Sequence, residues 1–250
     1  MNAVGMGIIK PGVVSANIGT AGQLSTAVNS PVFDKQFRTN TFCHAKEDLW
    51  IIFGGHLNGG MVLKWLRDNY FHHLSYEDFD SVAQEIQAGS EGALFLPYLS
   101  GERTPYQDPN AKGILFGMTL RHSYKHMVRA VMEGVILSLK LSLEILRELN
   151  LPIDRVIASG GGAKSSVWLQ MQADIFHTDI YTVSGEEEAC TGAAMAAGVG
   201  AGIYKSIEQA CSVVVKYHQK ITIPNPENVK VYEEAFEKYK RLYQNNKNLF

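Results

Sequence analysis

Apolar residues recur at two spacings along this chain, and each spacing predicts its own elements. Val13-Val14-Ser15-Ala16-Asn17-Ile18 is a short apolar run that reads as a strand, and Gln23 to Val28 reads as a second. The turn-prone tetrad Gly19-Thr20-Ala21-Gly22 lies between them, which predicts a hairpin. Further strands are expected over 38–44, 49–53, 94–99, 154–159 and 180–183.

Helical spacing takes over elsewhere. Over 59–70, Val62, Leu63, Leu66 and Tyr70 fall close to one face. From 124 to 149 the polar residues Arg129, Glu133, Lys140, Glu144 and Arg147 keep to one narrow stripe, and the other positions are almost all apolar. That pattern predicts a long, mostly buried helix. Helices are also expected over 165–176 and 187–204; the second is built of Ala and Gly, small enough to let a neighbour approach closely. Asn225 followed by Pro226 marks the start of a C-terminal helix with Val231, Ala235, Tyr239 and Leu242 on its inner face.

Residues 3–9 read as the tail of a helix stopped by Lys10-Pro11-Gly12, so the chain is expected to begin inside a structural element. Strands alternating with helices, with antiparallel pieces near the start, give an α/β class. The polar loop 101–113 is long for such a fold and is expected to be functional rather than a domain boundary.

Composition narrows the function classes. A hydrophobic share of 46% against 19% charged residues supports a full core and excludes intrinsic disorder, and 250 residues fit one large domain or two small ones. Lys+Arg 23 against Asp+Glu 25 leaves a net charge of -2, so no global field recruits nucleic acid or an anionic membrane. Cys43, Cys190 and Cys211 have no CxxC spacing, which argues against a disulfide framework or zinc knuckle and fits a reducing compartment. No signal-peptide pattern opens the sequence, and the uncharged run 189–204 is too short to span about 30 Å of hydrocarbon. A soluble, cytoplasmic protein is expected.

Two local patterns carry chemistry. Ser159-Gly160-Gly161-Gly162-Ala163-Lys164-Ser165 runs from strand to helix, where orphan N–H groups and the helix dipole favour an anion and Ser165 or Ser166 can cap the helix or touch a ligand. Taken alone, a tight strand–helix turn explains it better. A P-loop is absent, and a Rossmann fingerprint fits poorly because Ser165 stands at the third glycine position. Gly19 and Thr20 at the hairpin tip make a second phosphate-capable turn. Two such turns together point to a nucleotide held by hairpin and helix ends.

Other features read as structural. His122 and His126, one helical turn apart without a third ligand, read as solvated helix-end histidines, and His72-His73 as a pair at a helix C-terminus. Glu186-Glu187-Glu188 reads as acids at a helix start, and Glu102-Arg103 either orients a substrate or forms a salt bridge.

In order along the chain, NIGTAG, FCHA, GGMVLKWLRD, FLPYLSGERTP, DPNAKG, SGGGAKS and ACTGAA resemble the C-terminal domain of the FGGY carbohydrate kinases, in the actin-like ATPase superfamily. The signature stretch runs from Gly113-Ile114-Leu115-Phe116-Gly117-Met118 across a gap to His126-Met127 and on to Ala130-Val131-Met132-Glu133. Within the family, FCHA and the FLPYLSGERTP segment look most like members that phosphorylate D-xylulose to D-xylulose 5-phosphate, with gluconate kinases close behind.

The resemblance implies a ribonuclease-H-like fold, a mixed sheet flanked by helices, spanning residues 1–250, with ATP and Mg2+ in a cleft facing an N-terminal domain of the same enzyme. Gly19 and Thr20 would meet the terminal phosphates. Gly60 and Lys64 match positions near phosphate and ribose, although Lys64 stands where some relatives have Gln. Gly161, Gly162 and Ala163 would lie along adenosine and the α-phosphate, and Ser166 matches an adenine-side position that is Asn in some relatives. In this family the general base is an Asp shortly before an AVGxG helix, which appears here as Ala3-Val4-Gly5-Met6-Gly7. The base, the Mg2+ carboxylates and most sugar contacts are thus expected upstream, no catalytic residue or metal ligand is expected in these 250 residues, and the chain alone is expected to be inactive, with at most weak affinity for ATP or ADP.

Homodimerisation is compatible with the sequence, as is an apolar face left open for a partner domain. Two rival readings stand beside this one: a non-catalytic, actin-like nucleotide-binding module, and an NAD-dependent oxidoreductase.

Overall fold

The computed structural model describes residues 1–185 and 187–250, so Glu186 in the acidic run lies outside the described residues. The strands are β1 (Gly12–Ile18), β2 (Gly22–Val28), β3 (Asn40–Cys43), β4 (Trp50–His56), β5 (Leu94–Leu96), β6 (Ile114–Phe116), β7 (Ile153–Ser159) and β8 (Ile180–Thr182). The helices are α1 (Asn2–Gly5), α2 (Gly60–Tyr70), α3 (Tyr76–Gln84), α4 (Tyr124–Glu148), α5 (Ser166–Phe176), α6 (Glu188–Gly200), α7 (Ile207–Val214) and α8 (Pro226–Asn246).

Six strands form one mixed sheet in the order β3-β4-β2-β1-β7-β8. The hairpin expected from the first two apolar runs is there, with Val14 opposite Thr26 and Ile18 opposite Gly22. β1 pairs in parallel with β7 on its other side, and β7 with β8. Val14, Ala16, Leu24 and Ile52 send buried side chains into the main core. β5 and β6 make a separate antiparallel pair.

The long helix is as buried as its pattern implies, and the polar stripe goes in with it: Arg129, Glu133 and Lys140 are all buried. Arg129 Nε donates to Glu133 Oε1 at 2.7 Å, and the Tyr232 hydroxyl donates to the same oxygen at 2.7 Å. Gly134 follows on the face packed against β5, where an added Cβ would stand 2.2 Å from the Phe95 carbonyl oxygen. Gly134→Ala should therefore destabilise the chain, by about 1–3 kcal/mol in urea unfolding, although alanine alone would favour the helix by about 1 kcal/mol. A stabilised variant would refute this packing.

The Ala/Gly helix permits the close approach expected of it: a Cβ on Gly5 would meet the Glu188 carbonyl at 1.8 Å, and one on Gly192 the Met1 carbonyl at 2.1 Å. Several boundaries differ from expectation. The first helix covers only Asn2–Gly5 because the chain turns at Met6-Gly7, where Gly7 has φ 71. α6 stops at Gly200, not at residue 204. Gly202 sits at φ 76, and Gly202 N–H and Ile203 N–H donate back to the carbonyls of Val199 and Gly198, closing the helix with a Schellman motif. Tyr70 is exposed at the end of α2, its ring edge-on to Trp65. Val231 is also exposed; the inner face of α8 is Val229, Tyr232, Ala235, Phe236, Tyr239, Leu242 and Tyr243. α3, α7 and β6 are elements that the apolar spacing does not mark. Among the described residues no helix is long and apolar enough to cross a membrane.

Candidate functional site

The sheet brings the two glycine-rich turns to one edge because β1 and β7 are neighbours running the same way. β1 ends at Ile18 and feeds the hairpin tip, and β7 ends at Ser159 and feeds the triple glycine. Asn17 Nδ2 donates to Ser159 Oγ at 2.8 Å and ties the two ends together.

A cavity of about 550 Å³ opens between these turns. Ile18, Gly19 and Thr20 line one corner, Gly60, Met61, Leu63 and Lys64 of α2 a second, and Gly161, Lys164, Ser165 and Trp168 a third. α3 closes the remaining side with Tyr76, Glu77 and Asp80. Of the residues expected in the site, Gly19, Thr20, Gly60, Lys64 and Gly161 thus face one space. Gly162, Ala163 and Ser166 do not line it.

Each placement has a local cause. The N–H groups of Gly59 and Met61 donate to the Thr20 carbonyl at 3.1 and 3.2 Å, and that of Gly60 to the Gly19 carbonyl at 2.7 Å. The start of α2 therefore clamps the hairpin tip with these donors instead of presenting them to a ligand. Gly60 is bare because a Cβ there would stand 2.9 Å from the Gly19 carbonyl oxygen. Gly160 takes φ 73 to turn the chain out of β7. Gly162 is buried beneath the hairpin, where a Cβ would meet Ile18 Cβ at 2.8 Å and Trp168 Cε3 at 3.2 Å. Within the triple glycine it is Gly161 that has room, with Ile18 O at 3.7 Å from the added atom, and it lines the cavity.

Lys64 lines the opening with its ammonium held by Asp68 one turn along α2. Hydrogen bonds from Lys64 and then Arg67 hold the Asp68 carboxyl below its ordinary pKa. Ser165 caps α5, its Oγ accepting from Trp168 N–H at 3.0 Å, and the same hydroxyl donates to Asp80 Oδ1 at 2.8 Å. Burial pushes the Asp80 carboxyl up, against the lowering effect of that bond. Ser166 is exposed and faces a separate groove with Gln170, Thr182 and Lys220.

Tyr76, Glu77 and Asp80 escaped the sequence reading with their helix. The signal that could have found them is the capping box of Ser75 and Asp78, whose side chains each accept the other's backbone N–H.

The polar loop 101–113 does not reach the cavity. Glu102 is buried, accepting from Leu57 N–H at 3.1 Å and Arg103 N–H at 2.7 Å, so it holds the bend leading from β4 into α2. Arg103 donates to Asn40 at 2.7 Å and lies over the Phe53 ring. Tyr106 stacks on Tyr243 with centroids 3.5 Å apart. Cys43 and His44 line a smaller cleft with Asn2, Gln23 and Ser25.

His122 and His126 are not the solvated pair expected: their Nε2 atoms are buried. Nδ1 of His122 accepts the Thr119 N–H and Nδ1 of His126 the Ser123 N–H, which places the neutral-ring proton on Nε2 and leaves no lone pair there for a metal. Among the described residues no group of three or more His, Cys, Asp or Glu could hold a metal ion.

Comparison with known proteins adds a family to this geometry. A profile described as the FGGY family of carbohydrate kinases, C-terminal domain, matches residues 14–201. The chain is 36% identical over 247 residues to a xylulose kinase of Bacillus subtilis, covering 99% of this chain and 49% of that protein. It is 38% identical over 205 residues to a gluconokinase of the same organism, covering 77% of this chain and 40% of the relative. The solved structure of a ligand-bound xylulose kinase from Lactobacillus acidophilus superposes with a TM-score of 0.91 at 30% identity, over 98% of this chain and 49% of that one. The chain spans about half the length of the curated relatives it matches.

Proposed function

We propose a function from one premise: this chain belongs to the FGGY family of carbohydrate kinases, with the ribonuclease-H-like, actin-type fold of that family. The chain supplies the nucleotide-binding wall of an ATP-dependent kinase that phosphorylates D-xylulose to D-xylulose 5-phosphate. One observation carries the nucleotide assignment. Two glycine corners far apart in sequence, Gly19-Thr20 with Gly60 and Gly161, meet around one cavity.

The residues fit a nucleoside triphosphate. Bare backbone at Gly19 and Gly161 lets phosphates approach, and the Thr20 hydroxyl adds a donor at the tip. Trp168 and Tyr76 also line the cavity and offer aromatic surface for a nucleoside. Acidic Glu77 and Asp80 on α3 repel phosphate, which favours a ligand with its phosphates towards the hairpin. A bound Mg-nucleotide would bring the electrophilic phosphorus and the metal charge that neutralises its oxygens. The residues here bind and orient; an N-terminal domain of the same enzyme would supply the proton acceptor, the Mg2+ carboxylates and most sugar contacts. D-Gluconate is the second reading for the sugar, supported by the 38% identity to a gluconokinase.

Titrating the chain with MgATP, MgADP and NAD in calorimetry tests the nucleotide assignment. Adenine nucleotides should bind, NAD should not, and Gly19→Val should weaken MgADP by about tenfold or more, the effect of roughly 1.4 kcal/mol of lost contact. NAD binding in their place, or no binding at all, overturns the reading. Joined to an N-terminal domain of the family, the chain should turn over ATP faster with D-xylulose than with D-gluconate; the reverse preference would reassign the sugar.

A further inference from the structure

We propose that Asp80 is the residue of this cavity that recognises the nucleoside, its carboxylate accepting a hydrogen bond from a neutral N–H or O–H donor on the base or the ribose. The inference rests on the nucleotide reading above and deepens it. Asp80 reaches the cavity from α3, an element separate from the hairpin that would hold the phosphates. Its Oδ1 is fixed by the Ser165 hydroxyl at 2.8 Å. Ser165 is itself fixed as the cap of α5, so the carboxylate is oriented from the wall that the triple glycine opens.

A carboxylate offers two oxygens and about four lone-pair sites, and one hydroxyl uses only one of them. The groups acting on Asp80 are that serine and the like charge of Glu77, with burial the largest influence, and burial drives its carboxyl upward. Asp80 is therefore a half-buried acceptor with capacity to spare, in a cavity that Trp168 and Tyr76 also line. A nucleoside presents neutral donors in its ribose hydroxyls and the adenine amino group. Either would meet this acceptor, whereas a phosphate would be repelled by it.

A mere tie between α3 and α5 is the competing role, and a protein–ligand cycle separates the two. In Asp80→Asn the only acceptor oxygen is the one Ser165 requires, and the amide turns a donor towards the ligand. The chain and this variant are titrated with the Mg complexes of ADP, 2′-deoxy-ADP and purine-riboside diphosphate, which lacks the amino group, following Trp168 fluorescence and calorimetry. Asp80→Asn should weaken ADP by about tenfold or more, as expected for a bond to a charged acceptor, while thermal unfolding stays near that of the parent.

One analogue should bind the parent correspondingly weakly and lose nothing further in the variant: the deoxy analogue if the partner is ribose, the purine analogue if it is the amino group. Full additivity for both analogues, or an unchanged ADP affinity, overturns the inference while leaving nucleotide binding in place. Should Asp80→Asn fail to fold, the parent decides, since both analogues binding as tightly as ADP also overturns it. No binding of ADP to the parent removes the nucleotide reading and this inference together.

Discussion

Replacing Glu133 with alanine should lower the stability of the folded chain by about 3–5 kcal/mol, because it strands a buried guanidinium. Glu133 Oε1 accepts from Arg129 Nε, from the Tyr232 hydroxyl and from Gly89 N–H, and Oε2 accepts from the Ser90 hydroxyl at 2.8 Å. Arg129 also donates to the Ala83 carbonyl at 2.8 Å and to Tyr232 at 2.9 Å. Burial and then the Glu133 charge push the Tyr232 phenol upward, which keeps it protonated and donating to the carboxylate. One carboxylate thus joins α4, α8 and the turn after α3. Urea unfolding followed by circular dichroism measures the loss. The double variant Arg129→Met with Glu133→Leu should lose less than Glu133→Ala alone, since an apolar pair leaves no unpaired charge. A single-variant loss below about 1 kcal/mol would place this network at the level of a surface ion pair.

The second large effect belongs to Gly162→Val. The new side chain would press on Ile18 Cβ and on the Trp168 ring, and both residues line the cavity. Overpacking of this kind strains a fold by about 1–3 kcal/mol. Here it also displaces two residues of the cavity wall beside the triple glycine. In an active kinase built on this chain, the apparent KM for ATP should rise by about tenfold or more, with the KM for the sugar nearly unchanged. Equal rises in both would mean that Gly162 supports the whole wall and not the nucleotide side of it. For the chain alone, calorimetric loss of MgADP affinity reports the same event.

The pattern of the sequence reached the skeleton of this arrangement through residues whose type had few alternative explanations. The β1–β2 hairpin, α4, α5 and α8 are long or regular, and their apolar spacing survives the packing that surrounds them. α3 was lost because Tyr76-Glu77-Asp78-Phe79-Asp80 is mostly charged and buries only Phe79, Val82 and Ala83. α7 follows soon after the glycines that close α6, and its Ile207, Ala210 and Cys211 keep helical spacing over barely two turns, too short a run to stand out from the loops around it. The glycine corners were legible because a tight turn or a bare approach requires that residue type. Asp80 was not, since the hydrogen bond that orients it joins residues 85 positions apart in the chain. Gly162 shows the converse: the motif was visible, but only the close contact with Ile18 reveals that it packs beneath the turn and does not face the cavity.

The bond between Asn17 and Ser159 has a mechanical consequence. Both glycine corners grow from the tips of adjacent, laddered strands, so their separation acts as a fixed gauge set by the sheet and not by loop adjustment. A ligand bridging the two corners would have its span set by the strands. Any drift of this scaffold towards a different ligand must be written into the opposing helical rim, where exchangeable side chains draw the boundary.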